Sequence, residues 1–390
     1  MLLLKNANIY GPEYMGEKDI LIENNIVSTI SEKINISTNL SNLNIIDVDG
    51  DYVFPGFIDN HVHITGGGGE GGFSTRVPPI EISHIINSGI TTVIGLLGTD
   101  GVSRSIEDLL AKAKALEEEG LTCFALTGSY GVPPVTLTGS LIKDIVFLDN
   151  IIGTGEIAIA DHRSSQPTIN QIKKIIAETR RAGMLSNKGG VVNFHIGKGK
   201  NGINMLNKIV EETEIPPSNI LPTHVNRNNE IFNEAIEYAK SGGYIDLTAA
   251  SADNKSRDKK SREVAGKIKK AIDNGVNPLN ITISSDARGS LPRFDDNKEL
   301  IELKAAKMDC LYEAFKKAVL EFEIPVNKAL KPFTSNVSDI YKLKKKGQIK
   351  LENDADLLIA DMDSLKIKKV IAKGVIVKDS NRVVKGVFEE

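Results

Sequence analysis

The sequence predicts an α/β protein, a closed (β/α)8 TIM-like barrel carrying a small β-sandwich domain formed from both termini. Three observations point there. Eight short apolar runs alternate with amphipathic segments through the middle of the chain, while both ends carry only short β-branched runs broken by Gly, Pro and Asn. The length, 390 residues, suits a barrel with one appended module. An open doubly wound sheet is the alternative, and it leaves the two strand-rich ends without a place.

Taken in order, "MLLLKNANIY", "DILIENNIVSTI" and "LNIIDVDG" read as strands, as do "GQIKLENDADLLIADM", "LKIKKVIAKGVIVKD" and "NRVVKGVFEE" near the end. They assign 1–52 and 345–390 to the β-sandwich and 53–344 to the barrel. The barrel strands are expected at 53–59, 91–97, 121–127, 155–160, 191–196, 219–224, 244–249 and 281–285. Between them, 168–182 places Ile169, Ile172, Ile175 and Ile176 on one helical face, and 229–241 and 259–274 behave similarly.

Composition narrows the function. A hydrophobic content of 41% with 25% charged residues is that of a soluble globular chain, and a net charge of −3 implies no basic face, so nucleic acid is not an expected partner. No apolar stretch approaches a membrane span, and "MLLLKN" is too short for a signal-peptide core. Cys123 and Cys310 lie far apart, which argues against a disulfide framework or thiolate site and for a cytoplasmic protein with two buried thiols.

In a parallel barrel, chemistry collects at the carboxyl ends of the strands. "FIDNHVHITGGGGEGG", residues 57–72, lacks the Lys and Ser/Thr that a phosphate-binding loop requires. His61 and His63 are two apart, so an extended backbone turns both to one face. His195 lies in the fifth run, His224 closes the sixth, Asp286 closes the eighth and Glu156 lies in the fourth. Each alone reads as a structural histidine or a helix cap. Four of six histidines at strand ends of one barrel instead predict a site for a divalent ion such as zinc. His84 reads as a packing residue in a helix, and His162, beside Arg163, stays unassigned.

"PGFIDNHVH", the later strand-end histidines and "SSDARGS" resemble the amidohydrolase superfamily. "HVHITGGGGEGG", "GLLGTDGVSR", "LTGSYGVP", "DHRSSQPT" and "LPTHVNRN" are similar to its isoaspartyl dipeptidase branch over essentially the full chain. The resemblance implies a zinc-dependent peptidase with two Zn2+ per subunit and attack by a metal-bridging hydroxide on β-aspartyl dipeptides. His61 and His63 would hold one ion and His195 and His224 the other, with Asp286 as ligand and proton carrier. The substrate needs one anion and two cations: Glu70, carried on a loop with Gly68 and Gly69, for the ammonium, and Arg163 and Arg227 for the carboxylates. Thr99 and Ser290 match substrate-contacting positions, Tyr130 would donate to the oxyanion, and a homo-oligomer is implied.

The chain departs from that pattern at one place. Relatives join their two metals with a carboxylated lysine on the fourth strand, but no lysine lies between Lys143 and Lys173, and the family spacing falls on Glu156. Alternation puts Glu156, Ala158 and Ala160 on the face opposite Ile157 and Ile159, turning Glu156 into the barrel. Glutamate keeps the charge but is shorter by roughly 3–4 Å, and Gly153 and Gly155 suit a bulge that makes up the reach. The expectation is a bridging Glu156 that needs no carbon dioxide. Cyclic-amide hydrolysis, as in dihydroorotases or hydantoinases, is the alternative activity. A one-metal deaminase would leave Glu156 idle, and a scaffold without activity would have no reason to keep six ligands.

Overall fold

A computed structural model describes residues 1–36, 42–199, 201–294 and 300–389. All eight central apolar runs form strands. The first six barrel strands, Phe57–Val62, Ile90–Gly95, Thr122–Thr127, Ile151–Ile159, Val191–Ile196 and Ile220–Thr223, make one continuous parallel ladder. The seventh and eighth, Ile245–Thr248 and Ile281–Ser284, pair in parallel and pack between the sixth and the first, where Val62 bridges to Ala287 and the ring closes.

The first expected run, 53–59, straddles two elements. Tyr52–Pro55 belongs to the terminal sheet and pairs with Leu357–Ala360, while Phe57–Val62 is the barrel strand. An unbroken apolar run conceals the switch, because both strands are buried on both faces.

The helices follow from their sequences. Ile169–Ser186 opens on a capping box between Thr168 and Gln171 and closes on Asn187 in the left-handed conformation. Its Ile172, Ile175 and Ile176 are buried, whereas Ile169 is only partly so. Asn229–Lys240 buries Phe232 and Ile236, and Asn254–Asp273 buries Val264, Ala265 and Ile268. Fully burying a side chain the size of Val, Ile or Phe contributes about 1.5–3 kcal/mol relative to leaving it exposed.

Among the described residues, the two ends of the chain join in one nine-stranded sheet. It runs from Arg382–Val383 through Leu357–Ala360, Tyr52–Pro55 and Leu2–Tyr10 to Ile26–Ser31, with Asn44–Asp47 also paired to Leu2–Tyr10. Leu4, Ile9, Ile20, Val53, Leu357 and Ile371 form its separate apolar core. No described helix is long and apolar enough to cross a membrane. Cys123 and Cys310 are both buried and unpaired.

Candidate active site and metal centre

The carboxyl ends of the barrel strands bring the imidazoles and acids of separate strands into one buried cluster. His61 lies within the first strand and His63 just beyond it, and the pleat turns both to the interior as their spacing predicts. Their Nε2 atoms lie 3.4 and 3.5 Å from the two Glu156 oxygens and 3.7 and 3.2 Å from Asp286 Oδ1. His195 Nδ1 is 3.0 Å and His224 Nε2 3.6 Å from Glu156 Oε2. Glu156 therefore touches all four histidines, and both it and His61 are fully buried.

The fourth strand carries the irregularity that its glycines suggested. Thr154 pairs with Val192 and Ile157 with Phe194, so Gly155 and Glu156 together face the single residue Asn193. This two-against-one register is a bulge. Ile157 and Ile159 pack in the surrounding apolar layer while Glu156 faces inward, as alternation requires. Gly98 makes room: a Cβ there would lie 2.8 Å from His63 Cε1.

The electrostatics are strongly perturbed. Burial by itself would raise the Glu156 pKa, but the facing His61 and His195 and the close approach of His195 at 3.0 Å and His224 at 3.6 Å hold it well below the usual carboxylate range. Burial likewise opposes ionisation of Asp286, and His224, His63 and His61 more than offset it. Burial works against the charged form of His61, yet Glu156 and Asp286 raise it to about 9. His224 is pushed down to about 3, by burial and then by Arg227. The Tyr130 phenol, raised by burial and by Glu156, stays protonated; its hydroxyl lies 2.7 Å from His195 Nδ1.

The cluster fits divalent cations. Both ring nitrogens of His61, Nδ1 of His63 and Oε1 of Glu156 are buried without a hydrogen-bond partner among the described residues, a costly state unless something else satisfies them. Three overlapping triads, His61–His63–Glu156, His61–His224–Asp286 and Glu156–His195–His224, each bring their donor atoms within 4.8 Å of one another. Imidazole with carboxylate, without thiolate, is a donor set that zinc accepts.

A charged rim borders the cluster. Glu70 follows a loop in which a Cβ on Gly66 would lie 1.9 Å from the Val77 carbonyl oxygen, and Gly66, Gly68 and Gly69 all take positive φ. The Glu70 carboxylate accepts from Thr99 Oγ1 at 3.0 Å, Arg163 Nη1 at 3.1 Å and Ser290 Oγ at 3.3 Å. Arg227 Nη2 lies 3.1 Å from His195 Nε2. The expected rim residues thus meet at one mouth, next to a cavity of about 280 Å³ lined by Gly68, Gly69, Glu70 and Thr99.

Two histidines lie outside the cluster. His84 does not pack as expected; its side chain is half exposed, 3.6 Å from Glu81. His162 points to solvent, 90% exposed. Two partners were not foreseen: Asp161, within 3.1 Å of His195 Nε2, and Thr248, whose Oγ1 lies 2.6 Å from His224 Nδ1.

The comparisons agree with this architecture. The amidohydrolase family matches residues 52–387. A β-aspartyl dipeptidase from Fervidobacterium islandicum AW-1, solved in complex with β-Asp-Leu dipeptide, is 46% identical with a TM-score of 0.92, covering 100% of this chain and 98% of that one. Dihydropyrimidinase from Brevibacillus agri shares the fold at 14% identity and a TM-score of 0.65, covering 98% and 96% of the two chains. An adenine deaminase from Clostridium acetobutylicum is 25% identical over 351 residues, 87% of this chain and 52% of that protein. The chain spans about half the length of that relative. It is a member of the amidohydrolase family, and full-length β-aspartyl dipeptidases stand among its structural relatives.

Proposed function

We propose that this amidohydrolase hydrolyses β-aspartyl dipeptides, with His61, His63, Glu156, His195, His224 and Asp286 holding two divalent transition ions, zinc being the best match to the donors. The observation that carries the reading is the meeting of Glu70, Arg163 and Arg227 at the mouth of the imidazole–carboxylate cluster. A β-aspartyl dipeptide presents one ammonium and two carboxylates, and this rim offers one anion and two cations. When bound, the ions supply an acidified water and a Lewis acid for the amide carbonyl.

The remaining work falls to the side chains. Glu70, steadied by Thr99 and Ser290, receives the substrate ammonium, and the backbone of Gly68 and Gly69 allows close approach. Arg163 and Arg227 take the carboxylates. Asp286 accepts the proton of the attacking water and hands it to the departing amine nitrogen as the C–N bond breaks. The protonated Tyr130 hydroxyl donates to the oxyanion. Glu156 places one negative charge between the two ligand groups, reaching them through its bulge, so the site matures without carbon dioxide. Residues 57–344 form the catalytic unit, and the terminal sheet, which takes in Tyr52–Pro55, forms the appended one.

The rival is a cyclic-amide hydrolase, whose substrates lack the ammonium and second carboxylate and would leave Glu70 and one arginine surplus. Assaying β-Asp-Leu, α-Asp-Leu, dihydroorotate and hydantoin side by side, with metal content measured on the same sample, separates the two. Cleavage of the β-linked dipeptide alone is expected. Turnover of a cyclic amide in its place overturns the assignment.

A further inference from the structure

Asp161 follows the fourth strand, and its carboxylate is almost wholly enclosed, with 4% of the side chain exposed. Its Oδ1 accepts from the Arg163 backbone N–H at 2.8 Å and from Arg163 Nε at 3.0 Å. Its Oδ2 accepts from Arg163 Nη2 at 2.9 Å and also faces His195 Nε2 at 3.1 Å. The first contact alone would be an ordinary turn device, a short acid folding back on its own loop. The Oδ2 contacts are different, since they tie an arginine of the substrate rim to a histidine of the metal cluster on the neighbouring strand.

We infer that Asp161 is a positioning residue that sets the proton of His195 and the presented edge of Arg163 together. The inference rests on the dipeptidase reading and deepens it.

The geometry assigns each nitrogen a task. His195 Nδ1 faces Glu156 Oε2 at 3.0 Å and the Tyr130 hydroxyl at 2.7 Å, the side on which a cation would be held. A carboxylate on the other nitrogen holds the proton at Nε2, which leaves the Nδ1 lone pair free to ligate. A protonated Nε2 also has no lone pair for Arg227 Nη2 at 3.1 Å or Arg163 Nη2 at 3.3 Å. Arg227 is then left for a substrate carboxylate. On Arg163, Asp161 occupies Nε and Nη2, so Nη1 is the nitrogen turned toward Glu70 and the substrate mouth. One acid thereby couples metal affinity to substrate recognition.

The test compares wild type, Asp161→Asn and Arg163→Met, each stripped of metal and titrated with zinc against a chromophoric chelator, followed by kinetics on β-Asp-Leu at saturating zinc. Asp161→Asn should bind zinc about 10- to 100-fold more weakly and, once saturated, show a raised KM. Arg163→Met should raise KM while leaving zinc affinity unchanged. An Asp161→Asn protein with wild-type zinc affinity and wild-type KM overturns the inference. A second measurement needs no variant: nitrogen-15 correlation spectra of zinc-loaded wild type should place the His195 proton on Nε2, and a proton on Nδ1 overturns the inference equally. If wild type itself binds no zinc or ignores β-Asp-Leu, it is the dipeptidase reading that fails.

Discussion

Glu156 and Asp246 are two fully buried carboxylates inside the same barrel, and their surroundings differ in kind. Asp246 is closed off by hydroxyls: Thr282 donates to Oδ1 at 2.7 Å, and Thr223 and Ser284 donate to Oδ2 at 2.7 and 2.5 Å. Burial still raises its pKa against those bonds. Glu156 instead faces four imidazoles, keeps Oε1 without a hydrogen bond among the described residues, and is held ionised. A carboxylate satisfied by neutral donors is a structural part. One left ionised among nitrogens that also lack partners is a place for cations, because only added positive charge completes both sides at once.

The sharpest way to break that contrast is to remove each acid's charge in turn. Glu156→Gln should drop zinc from about two ions per chain to one or none and take β-Asp-Leu hydrolysis to background, read by elemental analysis and assay of one preparation. Asp246→Asn should retain its zinc. If the two variants swapped behaviours, the contrast would be wrong.

Proton competition comes next. With its folded pKa near 9, His61 lends the metal-free fold stability that is complete below 6.5 and lost as pH rises toward 9. A cation must displace that proton, so zinc affinity should climb by up to about tenfold per pH unit through this window and level off above it. Chelator competition across the range measures it, and a flat profile would contradict the pairing of His61 with Glu156. Tyr130→Phe should lower kcat by about 10²-fold with KM little changed. Arg227→Met should act on KM instead, lowering kcat/KM roughly 10- to 100-fold, the worth of a charged hydrogen bond. Smallest of all, Asp246→Asn should cost about 1–3 kcal/mol of stability in denaturant titration without changing the kinetics of the zinc-loaded enzyme.

The same contrast explains what the sequence disclosed. The barrel strands were legible because buried parallel strands are apolar runs, and the direction of Glu156 was legible because its neighbours Ile157 and Ile159 mark the outer face. The histidine pair was legible from period two. Asp161, Thr248 and Asp246 were not. Each is a common polar residue whose meaning lies in a partner on another strand, 34 residues on for Asp161 and 24 back for Thr248. Gly98 is silent for a related reason: what matters there is a side chain that is absent. The split of the run 53–59 between two sheets was hidden because both pieces are equally apolar.

The most direct measurement is an anomalous-scattering map at the zinc edge from crystals of the zinc-loaded protein. Two peaks are predicted, one beside His61 and His63 and one beside His195 and His224, with one Glu156 oxygen directed at each. A single peak, or a Glu156 side chain turned away from both, would contradict the account.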